Sequence, residues 1–187
     1  MSLPPKNRQN GMDAKNLADL YDAPLVDWAR VTDALEGPIT QAPGTGGPNR
    51  HTFWLATINA DGSPHVTGVG AEWYDGSLWF ETGPQTRKAR NVARDPRCTL
   101  SIAMDEIDLI VEGDAERVAD PATVAELAAV WAEGGWPCEV DESGTALTAP
   151  FSAPSAGPPP WWIYRITPRA ATALLTIEPG GATRWRF

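Results

Sequence analysis

Phe80-Glu81-Thr82-Gly83-Pro84-Gln85-Thr86-Arg87-Lys88-Ala89-Arg90-Asn91 reads as the end of a strand, a glycine turn and the start of a helix. Thr86 suits the N-cap, because its hydroxyl can accept from an N–H of the first turn that has no partner within the helix. Pro96 stops the helix near Arg94. Such a helix start presents free N–H groups and a partial positive charge, and a phosphate fits there. Arg87 and Lys88 fall in the same first turn, an unfavourable place for cations unless an anion neutralises them. Both side chains are expected to be exposed without a ligand. The competing reading is a solvated helix face, as runs of charge commonly are. The helix start directly after Thr82-Gly83 favours a ligand.

Outward from this stretch the chain reads as a β-meander. Ser77 to Thr82 forms a strand, and Asp75-Gly76 before it is a hairpin turn. Pro64 to Tyr74 forms a long strand with glycines at 68 and 70, which mark close backbone approach. Asn59-Ala60-Asp61-Gly62 is a second turn, preceded by a strand from Thr52 to Ile58. Beyond the helix, Cys98 to Met104 and Asp108 to Val118 are strands. Asp120-Pro121 opens a further helix that runs to about Glu133 and ends at Gly134-Gly135. The last strands are Trp161 to Thr167 and Ala171 to Glu178. Before the meander, Leu25, Trp28, Ala29, Val31, Thr32 and Leu35 keep helical spacing until Gly37-Pro38. A glycine- and proline-rich loop follows over residues 38–49. The pattern gives a mainly β fold, an antiparallel barrel with a few flanking helices. Residues 1–23 are expected to be poorly ordered, residues 24–187 to form one domain, and residues 137–160 to form a long loop within it.

The formal net charge of −9 disfavours DNA or RNA as a partner. A small anion can still bind where positive charge is concentrated. Arg87, Lys88, Arg90, Arg94 and Arg97 are five of the 15 basic residues, all between positions 87 and 97. No stretch reaches the roughly 18 apolar residues of a membrane span. Met1 to Gly11 lacks the apolar core of a secretory signal, so the expected compartment is the cytoplasm. Two cysteines, Cys98 and Cys138, with two histidines, His51 and His65, support neither a disulfide framework nor a metal site. Three lysines leave 12 of the 15 basic residues as arginine, which points to a GC-rich genome of actinobacterial type.

Phe53-Trp54-Leu55-Ala56-Thr57, Asp61-Gly62-Ser63-Pro64-His65-Val66, Leu78-Trp79-Phe80-Glu81-Thr82, Thr86-Arg87-Lys88-Ala89-Arg90-Asn91-Val92 and Asp95-Pro96-Arg97 occur in that order. The ordered set resembles the pyridoxamine 5'-phosphate oxidase-like split-barrel superfamily, in its flavin/deazaflavin oxidoreductase branch. The resemblance covers residues 50–118 and returns at Trp161 to Pro168. It implies a split β-barrel homodimer with a phosphorylated flavin-type cofactor in a groove between subunits. It implies a phosphate grip formed by Thr86, Arg87, Lys88 and Asn91, with ring and ribityl contacts near Thr67, Gly68 and Val69 and near Glu81 and Thr82. It also implies that the final Trp185-Arg186-Phe187 lies near the partner's site. The arginine expected on the second strand near Thr67 and the basic motif expected near the C-terminus are not plain here. That departure argues against a vitamin B6 phosphate as substrate.

In proteins of this type the cofactor carries the hydride chemistry, and the protein binds and orients. No catalytic triad or carboxylate pair is visible. His65 has a suitable range for proton donation, but a lone histidine after a hairpin turn is more often structural. FMN and F420 share the ring–ribityl–phosphate layout. Composition favours F420, with FMN the alternative. The substrate is expected to be small and planar. Of nine tryptophans, Trp136 and Trp161 are the best placed to wall a substrate pocket, while most serve packing. A non-catalytic flavin carrier or sensor is the rival function. Haem binding lacks an axial ligand.

Overall fold

The structure is a computed structural model that describes residues 7–9, 11–39 and 52–187. These residues form twelve strands: β1 (Asn7–Gln9), β2 (Met12–Asn16), β3 (Phe53–Ile58), β4 (Pro64–Val69), β5 (Ala71–Tyr74), β6 (Ser77–Thr82), β7 (Arg97–Ala103), β8 (Ile107–Val118), β9 (Glu139–Val140), β10 (Leu147–Thr148), β11 (Trp162–Leu175) and β12 (Ala182–Arg186). Three α-helices accompany them: α1 (Trp28–Glu36), α2 (Arg87–Arg94) and α3 (Pro121–Glu133). The chain divides into two compact units, and β7, β8 and β11 each contribute residues to both. Most of the loop read at residues 38–49 lies outside the described residues.

The first unit holds the described residues before β3 up to residue 39, with residues 101–112 and 168–187. Here β12 lies between β11 and β2, antiparallel to each, and β1 pairs with β2. Over residues 11–23 this departs from the expected poor order, while residues 1–6 and 10 of that segment lie outside the described residues. Met12–Asn16 is locally a weak strand with one fully buried side chain, Ala14. Its order comes from pairing with the far end of the chain, Asn16 opposite Thr183 and Ala14 opposite Trp185. α1 begins where Asp27 Oδ1 accepts from Ala29 N at 3.1 Å, and it buries Val31 and Leu35. Trp28 meets Trp185 and Phe187 edge-on, with ring centroids 5.0 Å apart in each pair. The C-terminal aromatics therefore pack within this unit.

The second unit holds residues 52–100 and 113–167. β3 pairs with β4 from Phe53 opposite Val69 to Ile58 opposite Pro64. The single strand expected over residues 64–74 breaks at Gly70, since β4 pairs with β3 whereas β5 pairs with β6. The β5–β6 hairpin closes through Asp75 and Gly76 at φ 48° and 68°, the left-handed pair that matches strand twist. β6 also pairs with β11, Thr82 opposite Trp162. β11 is continuous where two strands were expected. Pro168 sits between the residues that pair with β6 (162–166) and with β12 (170–174), so its missing N–H interrupts neither ladder.

α3 starts at an Asp120 cap, whose Oδ2 accepts from Thr123 N at 2.9 Å, with proline in the first turn. Its apolar face places Val124, Leu127, Ala128 and Trp131 against Trp79, Leu147 and Ile163. No helix among the described residues is long and apolar enough to cross a membrane.

Candidate anion-binding site

The site is built on the β6–α2 corner. Thr86 Oγ1 accepts from Ala89 N at 3.3 Å and donates to Gly83 O at 2.9 Å. With that proton committed, Thr82 is the donor in its 3.0 Å contact with the Thr86 hydroxyl. Three residues thereby fix the entry angle of α2. Asn91 fixes its other face: Nδ2 donates to Thr57 Oγ1 at 3.0 Å and to Asn59 Oδ1 at 3.1 Å. Both amide hydrogens are spent on β3 and its turn, so Asn91 anchors the helix.

Lys88, Asn91 and Val92 are one helical turn apart and all buried, while Arg87, Arg90 and Arg94 are exposed. Lys88 is only 2% exposed. This corrects the expectation that Arg87 and Lys88 are both open to solvent. The signal was present in the spacing: Lys88 stands one turn before Val92 and shares its inward stripe. Its ammonium donates to the carbonyl oxygen of Ser155. Burial pulls the Lys88 pKa down, and the nearby Glu81 charge partly restores it.

The other cations of the cluster are partly committed. Arg94 donates to Ile58 O, Arg90 donates to Gln85 O at 2.6 Å, and Arg97 pairs with Asp95 at 2.6 Å. Arg87 has no hydrogen bond or ion pair among the described residues. Burial lowers the pKa of His65 first, followed by the charges of Arg87 and Lys88, so the imidazole beside the cluster favours its neutral form.

Glu81 is 8% exposed. Its Oε1 accepts from Ser152 Oγ at 3.1 Å, and its buried Oε2 has no hydrogen-bond partner among the described residues. Burial pushes the carboxyl up to about 7, against the opposing pull of Ser152 and Lys88. A carboxyl poised there can hold or release a proton at neutral pH.

On β4, Gly68 and Trp54 share one face, because cross-strand partners point the same way. Thr67 and Val69 point to the other face, with buried Leu55 and Phe53 opposite them. Gly68 reaches the site through its backbone: its carbonyl accepts from Ser155 Oγ at 2.9 Å. Trp136 and Trp161 meet at 5.6 Å between ring centroids. Trp161 is buried and donates Nε1 to Gly157 O at 2.9 Å, while Trp136 donates Nε1 to Phe151 O at 2.6 Å. The structure thus brings Gly68, Glu81, Thr82, Thr86 and Lys88 together around one corner, and the two tryptophans hold the ends of the segment 151–157 that crosses it.

Ser152, Ser155 and the backbone of Gly83 were missed from the sequence. A Cβ at position 83 would stand 2.8 Å from Ala156 O and 2.9 Å from Pro158 O, so the turn glycine after β6 lets this segment approach. The stretch 150–158 carries only small and turn-forming residues apart from Phe151, with no local pattern that reveals its docking place.

The residues suit a phosphate: exposed Arg87 and buried Lys88 both stand in the first turn of α2, beside its capped N-terminus. The profile of the pyridoxamine 5'-phosphate oxidase family matches residues 47–151, more than half of the 187-residue chain. The chain belongs to that family. A conserved hypothetical protein of Mycobacterium tuberculosis is similar at 26% identity, over 80% of this chain and 84% of that one, with a TM-score of 0.55. A pyridoxamine 5'-phosphate oxidase-related, FMN-binding protein of Nostoc punctiforme shares the fold at 17% identity, over 86% and 91% of the two chains, also with a TM-score of 0.55. No curated protein matches the chain. The fold class is the one expected from the sequence, a mainly β, antiparallel split-barrel fold with flanking helices.

Proposed function

We propose that this protein is a cytoplasmic oxidoreductase that binds F420, or alternatively FMN, and transfers hydride to or from a small planar substrate. The observation that carries the reading is the α2 N-terminus. Thr86 caps it, and Arg87 and Lys88 add positive charge within its first turn. Membership of a family named for an oxidase acting on a phosphorylated ligand supports it. The FMN-binding description of the Nostoc relative supports a flavin-type ligand.

In this reading the bound flavin-type ring supplies the hydride chemistry. Arg87, Lys88 and the first-turn N–H groups hold the phosphate, and Thr82 with Thr86 keeps those groups aimed. Gly68 offers backbone to the ring side of the ligand, and Thr67 and Val69 shape the strand that carries it. Glu81 stores a proton at Oε2, available when a substrate carbonyl or alkene is reduced.

A homodimer belongs to the same proposal. Trp54 and Val66 are 51% and 57% exposed on the outward face of β3 and β4, an apolar surface suited to a second copy.

The purified protein tests the reading through its visible spectrum and through titration with F420 and with FMN. Binding of F420 with little FMN binding is the expected result. Tight FMN binding alone would replace the cofactor choice, and binding of neither would remove the reading. Sedimentation gives the oligomeric state, expected to be a dimer.

A further inference from the structure

Phe151-Ser152-Ala153-Pro154-Ser155-Ala156-Gly157-Pro158 is held at both ends. Leu147 and Trp161 bridge the chain on either side through N–H···O bonds of 2.8 and 2.9 Å. The indole N–H of Trp136 takes the Phe151 carbonyl, and that of Trp161 takes the Gly157 carbonyl. Between these clasps two carbonyls turn inward on the segment itself, Ala153 O to Ala156 N and Pro154 O to Gly157 N, and four other polar groups fall on groups of the site. Ser155 O accepts from the Lys88 ammonium, and Ala156 O accepts from Gly83 N at 2.7 Å. Ser152 Oγ donates to Glu81 Oε1, and Ser155 Oγ donates to Gly68 O.

The pairing is complementary in kind. Two carbonyl oxygens meet the donors that suit phosphate oxygens, and two hydroxyls meet the acceptors that line the ring side. A neutral carbonyl satisfies a buried ammonium less strongly than an ionised phosphate does, because charge-assisted bonds on both partners are the stronger class. The segment therefore protects Lys88 from the cost of an unpaired buried charge yet remains the weaker partner.

We propose that residues 151–158 form a strap that acts as an internal ligand of the phosphate grip, closed over it in the ligand-free protein and displaced when a phosphorylated cofactor binds. This rests on the cofactor reading above. The strap sets a threshold: apparent affinity is lowered by the fraction of molecules in which it is closed. A ligand that offers no anion to Lys88 has nothing to compensate for opening it.

The test uses the full chain and two variants. In one, Ser152–Pro158 is replaced by a Gly/Ser linker of equal length. In the other, Ser152→Ala and Ser155→Ala remove the hydroxyl contacts and leave the grip intact. Ligand-free proteins are treated with an amine acylating reagent, and mass spectrometry reads Lys88 against exposed Lys15. Lys88 is expected to lag well behind Lys15 in the wild type and to approach it in the linker variant. FMN and F420 are then titrated into all three proteins. The linker variant is expected to bind about tenfold tighter, as removal of a closed state predicts, and the double serine variant about threefold tighter, in keeping with two modest hydrogen bonds. Lys88 as reactive as Lys15 in the wild type overturns the strap. So does affinity that is unchanged or weaker once Lys88 has become reactive, and in that case the grip itself stands. Failure of every protein to bind either cofactor, with Lys88 reactive in the linker variant, removes the cofactor reading and the proposal with it. If the linker variant does not fold, the serine variant decides by the same signs.

Discussion

Ser152 Oγ donates to Glu81 Oε1 at 3.1 Å, the one hydrogen bond among the described residues to a carboxylate that is buried at the end of β6. That single bond does not offset burial, and the carboxyl is held near 7 where an ordinary glutamate has 4.5. A carboxyl whose folded pKa is raised stabilises the fold when protonated. Between about pH 4.5 and 7 the folded chain holds a proton that the unfolded chain has released, so stability falls as pH rises through this window. The full effect is about 3 kcal/mol. Urea unfolding at pH 5 and pH 8 is expected to show that loss, and Glu81→Gln to remove most of it by staying neutral throughout. Equal pH dependence in both proteins would show that Glu81 is ionised in the fold.

Asn91 ties α2 to β3 and its turn through two hydrogen bonds, to Thr57 and Asn59. Asn91→Ala leaves the buried Thr57 hydroxyl without this donor and frees the last turn of α2. A loss of about 2 kcal/mol is expected, read as a lower denaturant midpoint at unchanged slope. Asn91→Asp is expected to be at least as harmful, because it replaces two donors with acceptors.

Trp136→Phe keeps a ring beside Trp131 and Trp161 but removes the indole N–H that holds Phe151. Global stability is expected to fall by about 1 kcal/mol. Amide exchange over residues 151–157 is expected to quicken much more than exchange in β6. Uniform acceleration across the second unit would instead make Trp136 a general packing residue.

The hairpin at Asp75-Gly76, the Thr86 cap and the Asp120-Pro121 helix start were legible because each is set by residues within a few positions of it. So was the positive corner, since its cations are contiguous. Lys88 is half legible: its charge is plain in the sequence, whereas its burial shows only in its spacing from Val92. β2 and β12 were not legible, because a short polar strand at one end of the chain is ordered by pairing with the other end. β11 reads as two pieces in the sequence, since nothing local tells that Pro168 falls between two ladders. The contact of Ser155 with Lys88 joins positions 67 residues apart and leaves no periodic trace in either segment.

The proposed function rests on a phosphate grip by Arg87 and Lys88. It is tested most directly by titrating F420, FMN and riboflavin, which is FMN without its phosphate, into the wild type and into Arg87→Ala/Lys88→Met, with circular dichroism to check the fold. Methionine keeps the apolar stem of the buried lysine. At least one of the two phosphorylated cofactors is expected to bind the wild type, with riboflavin weaker than that cofactor by tenfold or more, roughly the value of one charge-assisted contact. The folded double variant is expected to lose that cofactor and to show no preference for phosphate. Riboflavin binding as tightly as the phosphorylated cofactor that binds the wild type, or affinity for that cofactor unchanged in the double variant, would overturn the phosphate grip.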